Sequence, residues 1–225
     1  MRDIDGRAIA KTIATEVTRT TEGLRADGVL PTLAVVVPTE DEATAWYVRS
    51  IERTAARVGI ECRTVRLADP SAAELVQRLD ALSADDTVHG IICQTPLPAG
   101  VTLAEVGEHI APAKDVDGAN PASLGRLAAG LPTYAPATAA AVAEILDREA
   151  VPLKGKHVVI IGRSTVVGKP AALLLLAEHA TVTVCHSRTE NLPQVAAQAD
   201  VLVAAVGRPA MVTADYVKPQ AVIID

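Results

Sequence analysis

A chain of 225 residues, 49% apolar and 21% charged, holds enough core material for one large or two small domains and is too apolar for a disordered segment. Its formal charge is −6, and its aromatics are limited to Trp46, Tyr47, Tyr134 and Tyr216, which argues against a nucleic-acid surface or a base-stacking platform.

From the N-terminus, apolar residues at helical spacing predict a helix over 9–24, ending near Gly28. Leu33-Ala34-Val35-Val36-Val37 is a continuous β-prone run stopped by Pro38. A helix is expected over 43–58, stopped by Gly59, then a strand over 60–67. Ser71 followed by Glu74 is a capping-box signature and opens a helix over 71–82. A strand over 88–93 leads into the Pro-rich turn Thr95-Pro96-Leu97-Pro98, and the stretch 112–136, rich in Gly, Pro, Asp and Asn, reads as loop. A helix over 138–148 precedes a second series: strand 157–161, helix 169–179, strand 181–185, a helix near 192–197, and strands over 200–206 and 221–225. Uninterrupted apolar strands imply sheets buried on both faces, and alternation with helices implies βαβ units. The expected fold class is α/β in two lobes, 1–149 and 150–225, with a ligand cleft between them.

Cys62, Cys93 and Cys185 are an odd count without a CxxC pair, and the five histidines form no HxxxH or HExxH, so neither a disulfide framework nor a metal site is expected. No apolar stretch follows the opening Met1-Arg2, and no apolar run approaches the length of a membrane span, which predicts a soluble, cytoplasmic protein.

Chemistry concentrates where strand 157–161 turns into the next helix, through Gly162-Arg163-Ser164-Thr165-Val166-Val167-Gly168-Lys169-Pro170. Gly162 permits a sharp turn, Gly168 a close backbone approach, and Pro170 suits a helix's first turn, whose unpaired N–H groups would face a pyrophosphate. GRSTVVG is not GxGxxG, so this pattern alone is a weak dinucleotide signal. The next strand ends Val184-Cys185-His186-Ser187-Arg188, without the carboxylate that would accept from an NAD ribose. Arg163, Ser187 and Arg188 suit the extra adenosine phosphate of NADP instead. Solvated loop charges and an ordinary turn account for the same residues about equally well.

Several segments, in order along the whole chain, resemble one family. They include Asp5-Gly6-Arg7, Tyr47-Val48-Arg49-Ser50, Gly90-Ile91-Ile92-Cys93-Gln94-Thr95-Pro96-Leu97-Pro98 and Lys114-Asp115-Val116-Asp117-Gly118. GRSxxVGKP, Thr183-Val184-Cys185-His186-Ser187 and Val206-Gly207-Arg208-Pro209 follow in the second lobe. The family is the methylenetetrahydrofolate dehydrogenase/cyclohydrolase of folate one-carbon metabolism. The resemblance implies a tetrahydrofolate substrate, NADP as cofactor and a homodimer formed through the Rossmann-like lobes. It implies that Tyr47 packs on the folate, Gln94 sits in the catalytic pocket, Asp117 hydrogen-bonds the pterin, and Pro96 and Leu97 line the substrate site. Gly162, Arg163, Ser164, Gly168 and Ser187 then hold the cofactor, with Gly207 closing over it. From the residues alone, Tyr47 shares a helix face with Val48, Ile51, Ala55 and Val58 and reads more readily as a core aromatic. Gln94 is equally a turn-stabilising amide, and Asp117-Gly118 a common turn pair.

The family pattern breaks at one position of mechanistic weight. It carries a catalytic lysine four residues after the tyrosine, and this chain carries Ile51. An isoleucine neither donates nor accepts a proton, so methenyl hydrolysis is expected to be weak or lost, while hydride transfer, which mainly needs alignment, persists. Pro38, Thr95 and the stretch around Pro136-Ala137-Thr138 also depart from the family. The resemblance further implies a Gly-rich turn, a Pro-Gly-Gly-Val segment and a returning helix after Asp225, so the second domain is expected to be incomplete there. Two other readings stay open: a catalytically silent relative that binds NADP or folate to sense or pair, and an enzyme of this fold acting on a less polar substrate.

Overall fold

The computed structural model describes residues 3–225; Met1 and Arg2, on which the expectation of no leader partly rests, lie outside the described residues. The chain divides into two compact units, one ending at Gly125 and the other running Arg126–Asp225.

In the first unit, α1 (Gly6–Ala26) begins before the first apolar residue of its stripe because Asp5 caps it, accepting the Arg7 and Ala8 N–H groups at 3.0 Å each. The elements β1 (Thr32–Val37), α2 (Glu42–Arg57), β2 (Glu61–Arg66), α3 (Ala72–Ala84) and β3 (Gly90–Cys93) follow, then α4 (Leu103–Gly107) and α5 (Pro121–Ala128), which runs across the division. The sheet is parallel throughout, in the order β2-β1-β3. One face of β1 buries Ala34 and Val36 against Leu75, Leu79, Ile91, Val106 and Ile110, while the other buries Val35 and Val37 against Val48. Burial on both faces is what the unbroken apolar run of β1 required.

The predicted capping box at Ser71 and Glu74 forms, with the Glu74 N–H donating to Ser71 Oγ and the Ser71 N–H to Glu74 Oε2. A second box, Thr102 with Glu105, opens α4, a helix too short for its apolar period to show. The loop expected over 112–136 is corrected by α5. Asn120 Oδ1 accepts the Ala122 N–H at 2.7 Å and Pro121 takes the first helical position, so residues that signal a turn here start a helix.

The second unit contains α6 (Ala137–Arg148), β4 (His157–Ile161), α7 (Gly168–Ala177), β5 (Thr181–Cys185), α8 (Leu192–Ala196), β6 (Val201–Ala204) and β7 (Val222–Ile224). Its parallel sheet has the order β5-β4-β6-β7. Ala139, Val142 and Leu146 of α6 pack with Leu175 of α7 on Val158, Ile160, Val201 and Val203, and Val159, Ile161 and Leu202 fill the other face. The division therefore falls well before the expected residue 150, because α6 buries its apolar face on this second sheet. Strand β5 lies at the sheet edge with Val184 exposed.

Candidate functional site

Each sheet places its first strand in the middle, its second on one side and its third on the other. Ligands in such sheets bind outside the carboxyl ends of the strands, where the order reverses. Gln94, Gly162 and Gly207 follow β3, β4 and β6 at these ends.

In the first unit Gln94 leaves β3 directly, its N–H donating to Val36 O at 2.8 Å. It is 8% exposed, and its side-chain amide has no hydrogen-bond partner among the described residues. The Thr95–Pro96 peptide is cis. Pro96, Leu97 and Pro98 face Pro38, Thr39, Glu40 and Asp69 across a cavity of about 330 Å³. The start of α2 is fastened to this loop. Asp41 Oδ2 accepts the Thr44 N–H at 2.7 Å, and Thr44 Oγ1 lies 2.9 Å from both Asp41 Oδ2 and Thr95 O, its single proton serving one at a time. The Thr44 backbone N–H first, then its hydroxyl, hold the Asp41 carboxyl below its ordinary range.

Tyr47, one turn into α2, is 55% exposed, while its neighbour Val48 is fully buried. The core-aromatic reading of Tyr47 is therefore corrected: the helix gives the sheet Val48 and leaves the ring free. Ile51, a turn further on, is half-buried against Val35, Val37 and Val48. Cys93, beside Gln94, has its thiol pushed up to about 12 by burial, so it is no thiolate nucleophile at neutral pH.

The Lys114–Asp117 motif docks on β3. The Ile91 N–H donates to Lys114 O at 2.7 Å, Asp115 bridges Ile91 in parallel, and Lys114 Nζ donates to Asp85 O at 2.7 Å. The Gly118 N–H closes a turn onto Asp115 O at 3.2 Å, with Gly118 at φ +63°, and half-buried Asp117 stands in that turn. Because the bridge is parallel, Gln94 and Asp117 both leave the sheet at its carboxyl end. Asp41, Thr44 and Asp115 were not singled out from the sequence. Asp41, three residues before Thr44 at a helix start, carried an N-cap signal that would have found the clamp.

In the second unit the ends of β4, β5 and β6 converge: the Gly162 N–H donates to Cys185 O at 2.9 Å and the Ala205 N–H to Ile161 O at 2.8 Å. Gly162 has φ +131°, and a Cβ there would lie 2.4 Å from Ala205 O; a Cβ on Gly168 would lie 2.2 Å from Gly162 O. Only glycine allows this fold-back. The expectation that the helix start faces a phosphate is corrected. Ser164 Oγ accepts the Val167 and Gly168 N–H groups at 3.1 and 3.4 Å, Ser164 O accepts that of Lys169 at 3.0 Å, and Pro170 has none. The N–H groups of residues 163–166 instead have no acceptor among the described residues, on an exposed loop. The free donors therefore lie on the loop and not at the helix end.

Paired residues Ile161 and Cys185 bring Arg163 near the exposed turn of Ser187 and Arg188. That turn is built by the His186 N–H on Thr189 Oγ1 at 2.9 Å and the Arg188 N–H on His186 Nδ1 at 3.1 Å. Gly207 is exposed after β6 with nothing near its Cβ position. A glycine-walled loop of free N–H groups beside two arginines fits a phosphorylated dinucleotide.

Fold and geometry together define a two-unit α/β protein with a cavity after β3 in one unit and a glycine-walled loop of free N–H groups after β4 in the other. The chain belongs to the tetrahydrofolate dehydrogenase/cyclohydrolase family: residues 4–117 match its catalytic domain and residues 136–225 its NAD(P)-binding domain. It is 62% identical over 226 residues to the bifunctional protein FolD of Parafrankia sp. (strain EAN1pec), covering 100% of this chain and 82% of that one. Among solved structures, the bifunctional enzyme FolD, methylenetetrahydrofolate dehydrogenase/cyclohydrolase, from Campylobacter jejuni superposes with a TM-score of 0.96 at 34% identity, over 99% of this chain and 79% of that one. The Trypanosoma brucei methylenetetrahydrofolate dehydrogenase-cyclohydrolase (FolD), complexed with NADP cofactor and inhibitor, gives 0.92 at 33% identity, over 99% and 77%.

Proposed function

We propose that this chain is an NADP-dependent methylenetetrahydrofolate dehydrogenase whose methenyltetrahydrofolate cyclohydrolase activity is weak or lost. The methylene carbon gives up a hydride and becomes the methenyl cation; NADP, when bound, supplies the nicotinamide ring that accepts it. The exposed Tyr47 ring packs on the folate, the unpartnered Gln94 amide orients the reacting face, and the Asp117 carboxylate hydrogen-bonds the pterin. Pro96 and Leu97, which line the cavity after β3, bound the substrate site. The loop N–H groups of residues 163–166 take the pyrophosphate, while Arg163, Ser187 and Arg188 take the adenosine phosphate, in a turn without a carboxylate to favour NAD. Gly162 and Gly168 shape that loop, Ser164 locks it to the helix, and Gly207 leaves room above it.

The observation that carries the reading is the contrast on α2: Tyr47 is exposed and Ile51 is packed against the sheet one turn later. Hydride transfer needs chiefly two aligned carbons. Hydrolysis of the cation needs a group that positions water and relays protons, which isoleucine is not. Supporting a cytoplasmic setting, Cys62, Cys93 and Cys185 are all free thiols. A homodimer is part of the proposal, and the exposed Val184 on edge strand β5 supports the second unit as its interface.

One absorbance assay that follows NADPH and methenyltetrahydrofolate separately tests the activity. The expected result is NADPH formation with accumulation of the methenyl compound, and a rise of about tenfold or more in hydrolysis for Ile51→Lys. Hydrolysis by the unaltered protein well above the solution rate overturns the loss. Binding of both ligands without NADPH formation identifies a silent relative, and tighter binding of NAD overturns the cofactor assignment.

A further inference from the structure

Asp117 carries the proposed substrate contact, yet the most deeply buried carboxylate of its loop is Asp115, at 0% exposure and with no ion pair among the described residues. Asp115 Oδ1 accepts the Ala119 N–H at 2.8 Å, and its Oδ2 accepts the Asn120 N–H at 2.9 Å and the Ser123 hydroxyl at 2.6 Å. Asn120 Nδ2 continues the network to Ile110 O at 2.8 Å. The backbone around it has no slack. Val116 sits on Gly90 of β3, where a Cβ would lie 2.9 Å from its Cγ1, and a Cβ on Gly107 would lie 2.3 Å from Ala119 O. Burying a carboxylate without a counter-charge is costly, and a loop that needed only to be a loop would avoid it.

We propose that Asp115 is a positioning residue. Through its three accepted hydrogen bonds and its bridge to β3 it clamps the chain on both sides of Asp117, so that the Asp117 carboxylate meets the pterin already placed. The inference rests on the folate-binding role of Asp117 given above. It assigns the second carboxylate of the motif to orientation and not to substrate contact.

The test compares Asp115→Asn, Asp117→Asn and the double variant in steady-state kinetics with methylenetetrahydrofolate and in direct NADP binding. Asp115→Asn is expected to raise KM for the folate about tenfold, with kcat within about twofold and NADP affinity unchanged. Because Asp115 acts through Asp117, the double variant is expected to match Asp117→Asn alone. Ser123→Ala, which removes one of the three bonds, shows the same non-additive pattern at smaller size and serves if Asp115→Asn does not fold. An unchanged KM for Asp115→Asn beside a raised one for Asp117→Asn overturns the positioning role, as does full additivity in the double variant. An unchanged KM for Asp117→Asn overturns the folate reading itself, and the positioning role with it.

Discussion

The two units share a strand plan and differ in what they place at its carboxyl ends. In the first, the chain leaving the sheet presents side chains: the Gln94 amide, the Asp117 carboxylate and, from α2, the Tyr47 ring. In the second, it presents backbone: N–H groups of residues 163–166 on a loop that only Gly162 and Gly168 allow to fold. A parallel α/β sheet supplies a place for ligands but not the chemistry. In the proposed function the same place serves a substrate through functional groups and a cofactor through the peptide itself.

Their means of stabilisation differ as well. Four carboxylates in the first unit are held below their ordinary range by neighbouring Ser or Thr: Asp41 by Thr44, Glu74 by Ser71, Asp85 by Thr87 and Glu105 by Thr102. The second unit has Asp200, lowered first by the Lys218 side chain at 2.7 Å and then by the His157 N–H.

The largest expected effect tests whether the units carry separate cores. Leu79→Ala and Leu175→Ala, each at a fully buried position, should each cost about 2–5 kcal/mol. Hydrogen exchange should show the loss confined to β1–β3 in the first case and to β4–β7 in the second, and equal loss across both would break the comparison. Next, Gly168→Ala puts a methyl 2.2 Å from Gly162 O. It should destabilise by about 1–3 kcal/mol and weaken NADP more than tenfold. Gln94→Ala, by contrast, should leave NADP affinity intact and act on the folate alone. Calorimetry with each ligand distinguishes the two kinds of site.

The smallest effect concerns acid. A carboxylate whose folded pKa is depressed contributes stability that is fully present above its unfolded pKa and is lost as pH falls through the folded value. Below about pH 4 the first unit, with four such groups, should lose stability before the second. Asp200→Asn should weaken the second unit at neutral pH, and its deficit should shrink as the pH falls and the parent Asp200 protonates. Exchange protection measured at pH 7 and pH 3 reads both.

Residue types alone laid out most of the scaffold, because burial on two faces leaves a direct mark: the unbroken Val and Ile runs of β1 and β4 have no polar residue to hide. Caps left marks too, at Ser71 with Glu74. The backbone cradle was half legible, since a glycine needed for close approach stands out, and Gly162 and Gly168 do so. Helix α4 was not, being too short to show a period, and neither was α5, whose Asn120-Pro121 start looks like a turn.

Packing settled what local pattern left open. On α2, Tyr47 and Val48 are adjacent apolar-faced residues, and only their distance from β1 decides that Val48 enters the core while the ring stays out. At the cofactor loop, the sequence marks a helix start but does not say that Ser164 consumes its donors; that depends on where a hydroxyl lands after the chain folds back. Strand periodicity and glycine placement are properties of a few consecutive residues, so a linear reading reaches them. The packing of α2 on β1 and the bridge from Asp115 to Ile91 join distant stretches of chain, and the donors that Ser164 and Asp115 capture are set by how the chain folds back, so those are fixed only when the sheets assemble.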